Sequence, residues 1–255
     1  MIVVSIIIPY FKKKKYFLKS FFSAYNQSFK NKEIIIIYDD EDKNELDFIK
    51  KNIRRLKNVK LIINKKNLGV GISRNKGIKL SRGKYIAFLD SDDVWHKDKL
   101  RKQINFMKKK NIEISHTTYE KIDENGVKIG KYIAKKRLSY QQLLNSCDIG
   151  LSTAIIKKKI LKKYKFPSIS TKEDYVLWLK ISKKYEIFGI NQTLCKWRKT
   201  KDSLSSDISK KFYNAFKVYY HYQNFGLINS IYRVFILSFF YIRKNILKTD
   251  NKIKF

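Results

Sequence analysis

The chain has 255 residues, 44 % of them apolar, which suits one sizeable domain, or a domain with an appendage, around a real core. Lys and Arg number 57 against 22 Asp and Glu, a formal net charge of +35; that excess favours an anionic partner, or else is the compositional habit of an AT-rich coding sequence rich in Lys, Ile, Asn, Phe and Tyr. Two cysteines, Cys147 and Cys195, far apart and without ligand spacing, argue against a disulfide framework and fit a reducing cytoplasm, and no uncharged apolar run reaches the ~18 residues of a membrane span.

"MIVVSIIIPYF" opens the chain with no basic segment before it, so it reads as a buried strand over 2–8, stopped by Pro9, rather than as a leader. Phe17, Leu18, Phe21, Phe22 and Tyr25 recur at helical spacing in 16–28. "EIIIIYDD" (33–40) is a second buried strand, followed by a charged helix near 43–56, a strand over 59–64, a helix near 71–81 and the strand "KYIAFLD" over 84–90. This alternation predicts an α/β fold with a parallel sheet covered by helices. The second half is less regular. It suggests a strand and hairpin over 112–130 turning at "ENG", helices near 139–146 and 172–184, and strands near 152–157 and 193–198. From about 207 the pattern becomes helical and rich in Tyr, Phe and Lys, so the expected division is a domain over 1–206 and an extension over 207–255.

Both acidic clusters, Asp39–Asp40 and Asp90–Asp93, fall at the carboxyl ends of predicted strands, where sheets of this kind bind ligands. Asp90 and Asp92, two apart on an extended segment, suit a hard cation that completes its shell with phosphate oxygens and water. Equally, the acids would cap a helix starting in "VWHKDKLRKQINFM". Glu173 and Asp174 precede Val176, Leu177, Trp178 and Ile181, as first-turn acids of a helix or as proton acceptors. His96, His116 and His221 are scattered and suggest no zinc site.

"NLGVGISRNKGIKLSRGKYIAFLDSDDVW" (67–95) resembles the signature of family 2 glycosyltransferases with the GT-A fold. Asn67, Gly69, Arg74, Asn75 and Gly77 fill its first half, with Ser73 at the usual Ala. Gly83, Tyr85, Asp90, Asp92 and Asp93 fill its second. "VSIIIPYF" and "EIIIIYDDEDKN" resemble two earlier family segments, with Glu41 and Asp42 replacing a Gly-Ser pair. The resemblance implies a Rossmann-like, mostly parallel sheet flanked by helices, with a C-terminal helical extension. It implies that Pro9 and Tyr10 line a nucleotide pocket, that Asp40 bonds uracil with Asp39 in support, and that Arg74 lies near the nucleotide. Asp90 would contact the nucleoside end of the donor and Asp92 would ligate Mn²⁺ or Mg²⁺. "STKEDYVLWLKI" (170–181) resembles the segment carrying the general base, which assigns Asp174 with Glu173 as neighbour or alternate. "CKWRKTKDSLSS" (195–206) resembles a further segment, matched by Trp197, Arg198, Ser203 and Ser205. Thr200 stands at the position of a frequent His, which leaves Arg198 and Lys201 to meet phosphate.

The implied activity is inverting, metal-dependent transfer of a sugar from a UDP-sugar to a saccharide or lipid-linked saccharide hydroxyl, in bacterial surface polysaccharide or lipooligosaccharide assembly. Two other classes are weighed. A catalytically silent nucleotide-sugar-binding module is opposed by Asp92 and Asp174. A nucleic-acid-binding protein is favoured by charge alone, without a stacking platform or helix-turn-helix pattern. In the tail, Ile208, Phe212, Ala215, Phe216, Tyr219 and Tyr220 share a helical stripe, and 227–255 is apolar almost all round, with Arg233 interrupting it. It reads as a cap on the domain or as an in-plane helix on an anionic membrane surface, placing the protein in the cytoplasm or peripherally on the inner face of the membrane.

Overall fold

The computed structural model describes residues 1–200 and 208–246. In chain order its first half runs β1 (Val4–Tyr10), α1 (Lys14–Tyr25), β2 (Lys32–Tyr38), α2 (Lys43–Ile53), β3 (Val59–Ile63), α3 (Val70–Leu80), β4 (Tyr85–Phe88), β5 (Val94–Trp95) and α4 (Lys99–Lys109). The second half runs β6 (Ile114–Ile122), β7 (Lys128–Tyr132), β8 (Arg137–Leu138), α5 (Tyr140–Asn145), a 3₁₀ turn (Leu151–Thr153), β9 (Ile155–Lys157), α6 (Lys158–Lys163), α7 (Glu173–Ser182) and β10 (Ile187–Arg198). It ends in α8 (Ile208–Lys217), a π turn (Val218–Tyr222) and α9 (Leu227–Ile246).

One sheet carries the order β3-β2-β1-β4-β9-β6-β10-β5, with β7 on β6 and β8 on β10. The strands β3, β2, β1 and β4 are mutually parallel, whereas β9 runs antiparallel to both β4 and β6. Alternation along the buried strands sends side chains to two faces. Ile6, Ile8, Ile34 and Ile36 meet Phe17 and Phe21 of α1, Ile49 of α2 and Leu100 and Ile104 of α4. Ile7, Ile86 and Phe88 meet Ile78 of α3, Trp178 of α7 and the tail. Helices thus cover both faces of an α/β sheet.

Three expectations change in detail. Pro9 does not stop β1, which continues to Tyr10. Ile7 O accepts from Leu89 N and Tyr10 O from Asp39 N, so odd positions of β1 bond toward β4 and even ones toward β2. The missing Pro9 N–H therefore falls beyond the last β4 partner, Phe88. The strand expected at 193–198 begins at Ile187, paired with β6 through two register shifts. The helix after the acidic run begins only at Lys99, with Val94–Trp95 paired to β10 between them, so Asp90–Asp93 do not cap it.

The tail packs on the domain rather than standing apart from it. Ala215, Val218, Tyr219, Val234 and Leu237 join the core that holds Trp178. Tyr219 Oη donates to Leu144 O (2.7 Å) and lies 2.9 Å from Tyr175 Oη, and Arg233 Nη1 donates to Asn145 Oδ1 (3.1 Å). The expected stripe is half correct: Ala215 and Tyr219 are buried, while Phe212 and Tyr220 are exposed. The expected division at 206/207 lies outside the described residues, as do Lys201, Ser203 and Ser205. Among the described residues no helix is long and apolar enough to cross a membrane.

Candidate active site

Pairing along β4 ends with the Leu89 N to Ile7 O bond, and the chain turns at once, Asp93 N donating to Asp90 O (3.0 Å). Three neighbours lock this acidic turn. Asp90 N donates to Ser152 Oγ (3.0 Å), Ser20 Oγ to Asp90 O (3.0 Å), and Trp95 Nε1 to Ser152 O (2.7 Å). Asp93 is buried and accepts Arg198 N (2.8 Å). Burial, then the charges of Asp92 and Asp90, hold its carboxyl well above the usual range. Burial and Asp90 also raise Asp92, against the opposing pull of Lys13.

Two side-chain cations meet carboxylates of this turn. Arg74, on α3, is 3 % exposed, so it is no solvated helix face. Its Nη2 donates to Asp90 Oδ1 (2.6 Å), its Nη1 donates to Glu173 Oε1, and the guanidinium lies over the Phe166 ring (5.5 Å). The two carboxylates hold its pKa above the ordinary range in spite of burial. The loop bearing Phe166 comes this close because residue 71 is glycine: a Cβ there would stand 2.6 Å from Pro167 O. The second cation is Lys13, whose Nζ lies 3.1 Å from Asp92 Oδ2 and donates to Thr200 Oγ1 (3.1 Å).

Arg74 also fixes the start of α7. Glu173 is 7 % exposed beneath it, and Lys172 before it takes a left-handed φ of 64°. Both acids are indeed in the first turn of α7, and the same placement delivers them to the β4 carboxylates. The Asp174 carboxyl is pushed up to about 7, by burial first and by Glu173 next, against Arg74. A carboxylate balanced near neutrality is suited to accepting a proton in turnover.

The other cluster is built differently. Asp39 Oδ1 accepts from Asn64 Nδ2 (2.7 Å) and from Leu68 N (2.8 Å), pinning the loop that leads into α3. Asp40 accepts Lys12 N at Oδ2 (2.9 Å) and Glu41 N at Oδ1 (2.8 Å).

Two expected roles are narrowed. The Tyr10 ring is wholly enclosed, stacked on Tyr38 at 5.3 Å with its hydroxyl donating to Glu45, and Pro9 is buried beside it. Strand alternation commits the Tyr10 ring to the core, so a pocket at this strand end meets backbone rather than that ring. Arg198 is 4 % exposed and donates to carbonyl oxygens, from Nε to Asp92 (3.0 Å) and from Nη1 to Asp123 (2.9 Å) and Glu124 (3.1 Å). It staples the acidic turn to the β6–β7 hairpin instead of extending toward phosphate. Sequence reasoning missed Lys13, which sits among four look-alike lysines, and Ser20, Asn64 and Ser152, which carry no motif.

Among the described residues no three His, Cys, Asp or Glu side chains gather as a metal site. Mg²⁺ or Mn²⁺ nevertheless needs only one or two carboxylates when phosphate and water complete its shell. Asp92, with an ammonium already against one oxygen, offers that donor set, so the residues fit a cation site completed by substrate.

Residues 5–166 match the family profile described as Glycosyl transferase family 2. The chain is 36 % identical over 215 residues to the Escherichia coli UDP-Glc:alpha-D-GlcNAc-diphosphoundecaprenol beta-1,3-glucosyltransferase WfgD, covering 82 % of each chain. It is 31 % identical to the putative teichuronic acid biosynthesis glycosyltransferase TuaG of Bacillus subtilis, covering 85 % of this chain and 87 % of that one. Among solved structures, S. aureus TarS in complex with UDP-GlcNAc superposes with a TM-score of 0.73 at 21 % identity, over 99 % of this chain and 76 % of that one. A Pyrobaculum calidifontis mannosyltransferase in complex with GDP-Man and Mn²⁺ superposes at 0.67 and 12 % identity; 88 % of this chain is covered, and the match spans 64 % of that chain's length. These structural likenesses establish the shared fold.

Proposed function

The chain belongs to glycosyl transferase family 2, and on that premise we propose that it moves a sugar from a UDP-sugar to a saccharide hydroxyl, with inversion, in the assembly of a bacterial surface polysaccharide or lipooligosaccharide. The observation that carries this reading is the buried Arg74, which ties Asp90 at the end of β4 to Glu173 at the start of α7. That tie supports Asp174, the residue after Glu173, as the proton acceptor beside the carboxylates assigned to the donor. The donor assignment is supported by the UDP-glucose in the name of the E. coli relative, and the lipid-linked acceptor by its diphosphoundecaprenol.

In this reading Asp40 accepts the N3–H of uracil, and Asp39 keeps the neighbouring loop in place. Asp174 takes the proton of the acceptor hydroxyl as its oxygen attacks the anomeric carbon from the face opposite the diphosphate. The new C–O bond forms as the bond to the diphosphate breaks, so UDP leaves with the electron pair and the anomeric centre inverts. A divalent cation supplies charge neutralisation and orientation of the leaving diphosphate when bound. Asp92, with Asp90 toward the nucleoside, would hold it.

The outer face of α9 leaves Ile228, Ile231, Tyr232, Phe235, Phe239 and Ile242 exposed while Val234 and Leu237 are buried. With the basic balance of the chain, that face supports docking on an anionic membrane surface from the cytoplasmic side, where a lipid-linked acceptor would be met. The test is a screen of nucleotide-sugars, with and without Mn²⁺, that reads nucleotide release and then transfer to a diphospholipid-linked saccharide. Release of UDP from a UDP-sugar, raised by Mn²⁺, is expected. Turnover of only non-uridine donors overturns the donor assignment, and UDP binding without any turnover makes the protein a binding module. Full-length protein that ignores anionic liposomes at low salt leaves α9 as a cap alone.

A further inference from the structure

Four consecutive lysines, Lys12 to Lys15, precede and open α1. Three of them lie against aromatic rings: Lys12 over Phe11 (5.2 Å), Lys14 over Phe48 (5.3 Å) and Lys15 over Tyr16 (5.3 Å). Lys13 instead reaches across to Asp92 Oδ2 and Thr200 Oγ1, both at 3.1 Å. The Lys13 and Asp92 side chains are only 19 % and 17 % exposed, so this contact is shielded from solvent in a way that ordinary surface pairs are not. The backbone on either side is held as well. Lys12 takes a left-handed φ of 49°, its N–H is fixed on Asp40 Oδ2 (2.9 Å), and α1 starts at Lys14. One short segment therefore touches the carboxylate assigned to the nucleoside and, one residue later, the carboxylate assigned to the cation.

From this geometry we infer that Lys13 is the resident counter-ion of Asp92, that it excludes a divalent cation from donor-free protein, and that it passes to the diphosphate when donor and cation enter together. The inference rests on the reading of Asp92 as the cation-holding carboxylate. An ammonium and a divalent ion on the same carboxylate repel strongly in a partly buried site, even when each takes its own oxygen. That repulsion works to displace Lys13. A displaced ammonium in this enclosed position needs another anion, and the diphosphate that completes the ion's shell is the one that arrives with it. Thr200 suits the exchange: its hydroxyl is a neutral acceptor that holds the ammonium at rest without adding a competing charge. Cation binding and nucleotide binding thus become mutually dependent, and the site stays closed to free cations.

The test needs no turnover. Mn²⁺ binding is titrated by the loss of the free-ion electron paramagnetic resonance signal in wild type, Lys13→Met and Lys13→Arg, first without nucleotide and then with saturating UDP. Wild type and Lys13→Arg are expected to bind Mn²⁺ weakly until UDP is added. Lys13→Met is expected to bind Mn²⁺ about tenfold more tightly than wild type without nucleotide, and to bind UDP about tenfold more weakly with Mn²⁺ present, as loss of one charge-assisted contact implies. Equal Mn²⁺ affinities of wild type and Lys13→Met without UDP, with UDP still strengthening Mn²⁺ binding in both, overturn the role of Lys13 and leave Asp92 as a cation ligand. Absence of Mn²⁺ binding in all three proteins even with UDP removes the cation site, and the inference with it.

Discussion

Asp39–Asp40 and Asp90–Asp93 both follow a parallel strand at the same, carboxyl end of the sheet, yet the first pair accepts N–H groups of backbone and amide while the second faces the cations of Arg74 and Lys13. Neutral donors hold a carboxylate in place and leave oxygen lone pairs for a neutral polar ligand. Side-chain cations do something else: they keep a crowd of negative charge tolerable in a partly buried turn, and they can be exchanged for other cations. The first cluster is therefore suited to receive a hydrogen-bonding ligand and the second to exchange its cations. Strand-end position alone does not distinguish them; what each carboxylate is bonded to does.

If that division is right, substitutions in the two clusters fail in different ways. The largest effect belongs to the network attached to the second cluster. Asp174→Asn should lower turnover by ~10²–10⁴-fold while UDP affinity by calorimetry stays near that of wild type. Retained turnover would make Asp174 a helix-start residue and pass the role to Glu173. Because the base works deprotonated and its carboxyl sits near 7, kcat/KM of wild type should rise with pH through about 7 and level off above it. The variant should lose that step.

Arg74→Met removes a cation from between Asp90 and Glu173 and leaves both carboxylates facing each other. Breaking such a buried pair typically costs ~3–5 kcal/mol, visible as a lower denaturant midpoint. In the first cluster the corresponding loss is smaller and splits between two readouts. Asp40→Asn should weaken UDP binding by about 1.5–3 kcal/mol, the value of a hydrogen bond to a charged acceptor, with turnover at saturating donor little changed. Asp39→Asn should appear in stability instead, at about 1 kcal/mol, because Asp39 holds Asn64 and Leu68 N. An Asp40→Asn protein that loses stability and keeps UDP affinity would erase the distinction between the clusters.

A separate effect tests a cation with no carboxylate partner among its described contacts. Lys99 is fully buried just past the second cluster, over Trp95 at 4.3 Å, donating to Gln103 Oε1 at 2.9 Å, and burial lowers its pKa to about 7. Between about 7 and its ordinary value of 10.5 the unfolded chain binds more protons than the folded one. Wild-type stability should therefore rise with pH across that window, by up to about 1.4 kcal/mol per unit. Denaturant midpoints of wild type and Lys99→Met at pH 7.5 and 9 check this, since the variant should lack that contribution.

The tail also bears on how far each region can be altered. Asn214 Nδ2 donates to Thr171 Oγ1 (2.7 Å) in the segment just before α7, and Tyr219 meets Tyr175 within α7. Removing everything after 206 would therefore disturb the support of Asp174 as well as any membrane contact. Single substitutions on the exposed face, such as Phe235→Ser, separate the two roles.

What the sequence determined by itself is the part governed by local periodicity. Runs rich in β-branched and aromatic residues gave the parallel strands, and helical spacing gave the helices between them. Since ligand sites lie at the carboxyl ends of such strands, both acidic clusters stand out in the sequence as candidates. The joint pattern through 67–95 identified the family, and the resemblance of 170–181 offered Asp174 as the candidate base. What only the tertiary structure decided is which charge meets which. Lys13 bonds Thr200 across 187 positions and Arg74 bonds Glu173 across 99. No local signal separates Lys13 from Lys12, Lys14 and Lys15, because their different partners depend on where the chain turns after β1. For the same reason Arg198 went to carbonyl oxygens and the tail to a shared core with α7. Secondary structure is written in neighbours a few residues apart; the pairing of buried charges is settled by packing, where desolvation makes each one take whatever partner the fold brings within reach.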